Sequence, residues 1–442
     1  MSAKAAKKPR KSPKKRSRPL PPEYNMLLTA TLCLLALGAV MVFSASSTTR
    51  ILQDGGLSDS AFYLKRTLLF GAVGLVIMVL TARHGLRAVR QLTPVLLAGS
   101  IFLLLAVLAV GTEVNGATRW LGGGFLQVQP SELAKVALIL YGADLLAQKP
   151  KRVRSLEGIM PFLLVVGASS LLIMLQPDMG TTMVIAFSVG ATLIAAGVRP
   201  ADLAKIGLVI GVLALLMAVV EPYRMARLTS FLNPSADAAG AGFQAAQAKI
   251  ALGSGGIFGE GLGNGVQKAF YLPEAHTDMI TAVIGEELGL VGIAGVVGLF
   301  AMFGYAGLKT AQKAKDVYSK LLVTGLTSLV LVQAIINLFA VMGMAPLTGV
   351  PLPFVSYGNS SLMASLFAVG LILNVARGGA AASARRATPT GAGKLRAIDG
   401  GRSPARERSR ANGARKAKSG GGGGGNRGAR RARHGGRRRA SG

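Results

Sequence analysis

Ten long apolar runs leave this chain few ways to fold. They lie near residues 26–45, 67–82, 91–111, 132–147, 159–176, 180–198, 203–221, 282–308, 319–342 and 359–376. A bilayer core takes about 20 mostly apolar residues per helix, so the sequence predicts ten membrane spans. The runs are rich in Leu, Ala, Gly and Val, as suits helices packed on one another in lipid. The alternating pattern of a membrane barrel is absent. The expectation is an all-α polytopic membrane protein of about ten helices, with a large extracytoplasmic loop between helices seven and eight. The first run follows a basic segment, and Ser44-Ala45-Ser46 resembles a cleavage site. That run is longer than a signal-peptide core, so it reads as an uncleaved anchor.

The charge of the chain needs reconciling with a membrane protein. The sequence is 51% hydrophobic and only 16% charged, yet its net charge is +31. Position resolves this. Residues 1–23 hold nine Lys/Arg against one acid, and residues 377–442 hold nineteen against two. Three parts follow: a basic disordered tail (1–23), a membrane domain (24–378) and a basic Gly/Arg-rich disordered tail (379–442). The C-terminal tail has almost no large apolar residues, so it cannot offset its ordering entropy. Its bland role is attraction to anionic lipid heads; a sharper one is docking to an acidic cytoplasmic partner. No stacking aromatics accompany the charge after Tyr357, so no nucleic-acid partner is expected.

Loop charges set the orientation. The even loops carry Arg83/Arg87/Arg90, Lys149/Lys151/Arg152/Arg154, Arg199 and Lys309/Lys313/Lys315. The positive-inside rule then puts these loops and both tails in the cytoplasm. An even number of spans independently requires both tails on one side. With Cys33 as the single cysteine and only three histidines, neither an internal disulfide nor a cysteine or His-rich metal site is expected.

Two outer loops are long, about 112–131 and about 222–281, and long ordered loops tend to carry function. The larger holds Tyr223-Arg224, Phe231-Leu232-Asn233-Pro234 and a glycine-dense stretch, Gly253 to Gly265. No nucleotide-loop spacing occurs there, so these glycines are read as permitting tight turns in a re-entrant or interface-hugging loop. Glu132 and Lys135 share a helix face at the start of span four, behind Pro130, which suits a first helical turn. Asp278 enters span eight. Each has an ordinary reading: a helix-stabilising acid, its lysine partner, a cap. Their position favours a site, because charge kept at membrane depth is costly and usually functional. Asp178 reads as the cap of span six, Gln333 and Asn337 as interhelical hydrogen-bond glue, and Trp120 and Tyr271 as interface anchors. Arg119, beside the outer surface, suits a bidentate grip on phosphate.

The motifs Asn115-Gly116-Ala117-Thr118-Arg119-Trp120, Gln129-Pro130-Ser131-Glu132 with Lys135, Gln176-Pro177-Asp178-Met179-Gly180-Thr181, Arg227 to Pro234, Gly253 to Gly265, Leu272 to Glu287 and Pro353-Phe354-Val355-Ser356-Tyr357-Gly358 occur in this order. In that set the chain resembles the SEDS family of bacterial cell-wall glycosyltransferases, which includes FtsW, RodA and SpoVE. The resemblance covers roughly residues 25 to 378. Tyr271 to Asp278 and Gly261-Leu262-Gly263-Asn264 look more like the division branch, FtsW, than the elongation branch, RodA. Met279 and Thr281 depart from the family's usual larger residues.

The resemblance implies ten helices, a lipid II substrate and glycan polymerisation at the outer face of the cytoplasmic membrane. It implies a class B penicillin-binding protein as partner, alongside other division proteins. It puts the family's essential aspartate on Asp278 and its charged pair on Glu132 and Lys135. The chemistry then needs a base for the attacking hydroxyl and a cation for the departing pyrophosphate. Asp278 is expected as the base, Lys135 and Arg119 at the pyrophosphate, and Glu132 as the residue that holds Lys135. Gln129, Ser131, Arg224, His276, Thr277 and Ser356 are expected to bind substrate. A divalent cation (Mg²⁺ or Mn²⁺) would share the pyrophosphate's charge, although the sequence has no obvious cage for one. The competing readings are a lipid II flippase, which should place charge at the bilayer midplane, and a division scaffold acting through its tails.

Overall fold

The computed structural model describes residues 20–386, except 54–60, 115–116, 125–126, 221–224, 226–228, 230, 232–240 and 270. The described elements are α1 (Pro22–Gln53), α2 (Phe62–Val110), β1 (Thr112–Val114), β2 (Ala117–Trp120), α3 (Pro130–Gln148), α4 (Leu156–Leu175), α5 (Met179–Ala196), α6 (Pro200–Val220), α7 (Ala241–Ser254), α8 (Ile280–Lys313), α9 (Val317–Val341) and α10 (Asn359–Arg386). A bilayer cannot satisfy backbone groups, so the apolar runs must bond internally as helices. Each run lies on a helix. Among the described residues, eight segments are long and apolar enough to cross a membrane. The runs near 132–147 and 203–221 form α3 and α6, and α3 carries Glu132, Lys135 and Asp144 within its 19 residues. The protein is an all-α polytopic membrane protein.

Spans two and three are continuous in helix α2, with Phe62–His84 and Leu86–Val110 as its two halves. Hydrogen bonds give their directions. Arg66 Nη2 donates to Gly124 O (3.1 Å), just before α3. The Leu104 carbonyl accepts from Gln176 Nε2 (3.0 Å), and Arg119 Nε holds the Gln176 carbonyl (3.2 Å). Both far ends of α2 therefore meet the 112–128 segment. Arg90, near the middle, instead pairs with Asp144 toward the other end of α3 (2.7 Å). A straight helix would hold Arg66 and Leu104 about 57 Å apart, so the two apolar halves, Phe62–His84 and Leu86–Val110, turn back on each other.

The 112–131 loop contains an antiparallel hairpin, β1 against β2, with Thr112 opposite Trp120. This hairpin marks one end of the bundle. α9 and α10 are its most buried spans, and α9 packs against α3, α5 and α8. α1 and α8 are antiparallel: Glu23 meets Lys313 at one end, and Ser44 meets Glu287 at the other (2.7 Å). Inside α8, Gly289 adopts φ 64°, which breaks the helix. The glycine-dense loop docks there. Glu260 N and Gly261 N donate to the carbonyls of Glu286 (2.9 Å) and Glu287 (3.1 Å). Backbone meets backbone so closely that a Cβ on Gly289 would lie 2.4 Å from Gly259 N. The tight turns expected of this stretch are present, with Gly256, Gly259, Gly261 and Gly263 at positive φ, and Gly255 and Gly259 sit where a Cβ would meet the α8 backbone.

Candidate functional site

α3 begins at Pro130, which needs no N–H there, and puts Glu132 in its first turn. One turn on, Lys135 Nζ donates to Glu132 Oε1 at 2.9 Å, both side chains being 3% exposed. Lys135 also donates to Gln333 Oε1 on α9 (2.8 Å). Gln333 in turn donates to Pro351 O (3.0 Å) and Ser361 Oγ (3.3 Å). A cavity of ≈ 10 Å³ lies against the pair, walled by Glu132, Lys135, Gln333, Ser365 and apolar side chains. That is room for about one water molecule. Removing two charges from water costs several kcal/mol each, which only good pairing and hydrogen bonding offset. Here that compensation is provided.

Asp278 is reached through the same face of α9. Asn337, one helical turn from Gln333, donates through Nδ2 to Asp278 O (2.7 Å) and Val350 O (2.8 Å). Thr281 Oγ1 donates to Asn337 Oδ1 (2.6 Å). The two amides read as interhelical glue do bridge helices: from one face of α9, Gln333 meets the charged pair and Asn337 the Asp278 backbone. The N-cap of α8 is Met279, and no side chain caps it. Asp278 stands one residue earlier, partly exposed, so its ordinary reading as the cap does not hold. Thr277 Oγ1 lies 3.3 Å from Asp278 Oδ1 and 2.8 Å from Glu274 Oε2, so its one hydroxyl hydrogen is shared between two carboxylates.

The segment before Asp278 is pinned from the α10 side, where Tyr357 N donates to His276 O (2.9 Å). His276 lies among aromatic rings, with centroids 4.4 Å from Tyr63 and 5.5 Å from Tyr357. Burial pushes the Tyr357 phenol above its ordinary pKa of 10.0, against the opposing pull of Arg66.

The other expected residues divide. Arg119 holds the carbonyls of Gln176 and Pro177, so its guanidinium braces the α4–α5 turn. Gln129 N donates to Ser360 Oγ (3.1 Å) and its Nε2 to Asp178 Oδ2 (3.4 Å). Asp178 caps α5 as expected, accepting from Thr181 N (3.0 Å). Ser131 sits beside Glu132, 1% exposed, with no hydrogen-bond partner for its hydroxyl among the described residues. Ser356 Oγ is buried and accepts from Leu352 N (2.8 Å), closing a loop. Arg224 lies outside the described residues. Among the described residues no three His, Cys, Asp or Glu side chains group to hold a metal.

One cluster at this end went unread in the sequence. Lys268 and Glu287 pair at 2.6 Å, 2% and 0% exposed. Lys268 Nζ also donates to Ser44 Oγ (3.0 Å) and Gly263 O (2.8 Å). Glu287 accepts from Ser44 Oγ (2.7 Å) and Gly263 N (3.1 Å). Neighbouring Glu286 accepts from Val266 N (2.7 Å) and Gln267 N (3.0 Å). The signal available was a lysine and two acids beside long apolar runs, with nothing in their spacing to pair them.

Fold and site together define a polytopic membrane protein with buried charge gathered at one end of a helical bundle. The family model described as "Cell cycle protein", that of FtsW, RodA and SpoVE, matches residues 24–380, and the chain belongs to this family. It is 41% identical over 360 residues to the probable peptidoglycan glycosyltransferase FtsW of Trichlorobacter lovleyi, covering 80% of this chain and 94% of that one. It is 40% identical over 357 residues to stage V sporulation protein E of Bacillus subtilis, covering 80% and 96%. A solved chain from work on polymerization and crosslinking by a peptidoglycan synthase complex matches with TM-score 0.64 and 30% identity, over 79% of this chain and 96% of that one. The rod shape determining protein RodA of Thermus thermophilus matches with TM-score 0.59 and 29% identity, over 79% and 95%.

Proposed function

We propose that this enzyme is a peptidoglycan glycosyltransferase that polymerises lipid II in the bacterial cytoplasmic membrane during septal wall synthesis. The hairpin end of the bundle is the outer face and both tails are cytoplasmic, as the loop charges require. The observation that carries the reading is that one face of α9 holds both parts of the site: Gln333 accepts from Lys135 of the buried Lys135–Glu132 pair, and Asn337, one turn on, donates to the Asp278 carbonyl.

In this reading the 4-hydroxyl oxygen of an acceptor GlcNAc attacks the anomeric carbon of the growing strand's MurNAc. The new C–O bond forms as the bond to the undecaprenyl pyrophosphate breaks. The bonding pair leaves with the pyrophosphate, and the hydroxyl proton passes to the Asp278 carboxylate. A single displacement turns an α-linked donor into a β-1,4 link, so one base suffices and no protein nucleophile is needed. Lys135, held by Glu132 and Gln333, stabilises the departing charge. Arg119 contributes by bracing the neighbouring turn. A Mg²⁺ or Mn²⁺ ion bound with the pyrophosphate would share its developing charge.

The solved relative from a peptidoglycan synthase complex supports pairing with a class B penicillin-binding protein. The relatives named FtsW support a place among the division proteins. Co-purified enzyme and class B partner, given labelled lipid II, should yield glycan polymer. Lipid II flipped across vesicles without polymer would make the chain a transporter. Neither product would leave a scaffold.

A further inference from the structure

The aromatic corner beside Asp278 has no part in the proton transfer or in charge stabilisation. Tyr63 comes from the start of α2, His276 from the segment before α8, and Tyr357 from the turn before α10. Tyr63 and Tyr357 meet edge to face, with centroids 4.9 Å apart and planes at 82°. His276 is tilted 44° against Tyr63. All three are only partly buried, unlike the packing aromatics Phe162 and Phe303, which are fully enclosed. They are also held in place. The Tyr357 backbone N–H donates to the His276 carbonyl (2.9 Å). His276 is two residues from Asp278.

We propose that Tyr63, His276 and Tyr357 form the platform that binds the acceptor's GlcNAc ring and turns its 4-hydroxyl toward Asp278. The inference rests on the polymerase reading and deepens it. A pyranose presents axial C–H bonds on its faces and hydroxyls around its edge. Rigid aromatic faces match the first, while polar groups such as Asp278 and Thr277 match the second. Aromatic side chains suit this because they offer a large contact area with a polar tip and little entropy to lose. A carboxylate base can take a proton only from a hydroxyl within hydrogen-bond reach. Something must therefore fix the acceptor ring, and this partly open aromatic corner includes His276, two residues from Asp278.

The probe is chitotetraose, a soluble β-1,4 GlcNAc oligomer. Its binding to the co-purified complex is followed by saturation-transfer NMR and by inhibition of polymerisation. Tyr63→Leu and Tyr357→Leu should each weaken chitotetraose about ten-fold and raise KM for lipid II more than they lower kcat. Tyr63→Phe and Tyr357→Phe, which keep the rings, should stay near wild type in chitotetraose affinity. Melting temperatures are read in parallel. Chitotetraose that does not bind the wild type, or that binds the leucine variants equally well, overturns the platform. So does a loss confined to melting temperature. A wild type that binds chitotetraose but makes no polymer would sink the polymerase reading and leave the sugar platform standing.

Discussion

The helix pair Glu132–Lys135 and the loop pair Lys268–Glu287 are alike in burial and differ in how fully they are satisfied. A lysine ammonium has three hydrogens to give. Lys268 gives them to Glu287, Ser44 and Gly263 O, and so ties α1, the glycine-dense loop and α8 into one piece. Lys135 gives two, to Glu132 and Gln333, beside a cavity the size of one water. The first pair is closed and behaves as scaffold. The second retains a donor and some space, which is what a group needs if it is to meet charge that develops only during reaction.

Breaking the closed pair should have the largest effect. Lys268→Ala leaves the Glu287 carboxylate buried without its cation, a loss of about 3–5 kcal/mol. Thermal melts and expression should both fall. Lys268→Met combined with Glu287→Gln should recover most of that stability, and activity with it. If the double variant folds but makes no polymer, the closed pair has a chemical role as well.

The open pair should behave in the opposite way. Lys135→Met with Glu132→Gln removes both charges while keeping volume. The variant should melt near wild type and polymerise lipid II slower by roughly 10²-fold or more. Lys135→Arg keeps the charge but changes its geometry and hydration, so it should recover little. Normal polymerisation by both variants would reduce this pair to scaffold too.

Gly289→Ala probes what the closed pair supports. The glycine holds φ 64° with Gly259 N where a Cβ would sit, so alanine should cost about 1–3 kcal/mol, read as a lower melting temperature. The smallest effect is expected from deleting residues 387–442. Polymer yield should not change, while binding to anionic vesicles weakens, most visibly at low salt. Lost catalysis on deletion would bring the tail into the enzyme.

The two pairs also differ in how legible they were. Glu132 and Lys135 sit three residues apart on one helix, a spacing that brings side chains together without any tertiary information. Gln333 and Asn337 were visible as amides in an apolar helix. The partners of Lys268 come from 19 and 224 residues away, and only the folded loop brings them together. Apolar length located the helices, and the two runs near 67–82 and 91–111 are the two spanning halves of α2. Ser356 is expected from its motif, Pro353 to Gly358, while the bond its hydroxyl accepts from Leu352 N is visible only in the fold. Asp278 drew weight from the family resemblance, since one acid before an apolar run has the same appearance whether it caps or catalyses.

Asp278→Asn is therefore the most direct test. The change is nearly isosteric and keeps a hydrogen-bonding head, but asparagine cannot take up the proton. Matched amounts of wild-type and variant complex, each with its class B partner, are given lipid II, and polymer is measured at initial rates. The account expects normal expression, retained partner binding and polymerisation lower by roughly 10²-fold or more. Near-equal initial rates would contradict it and move the search for the base to Glu132 and Glu274.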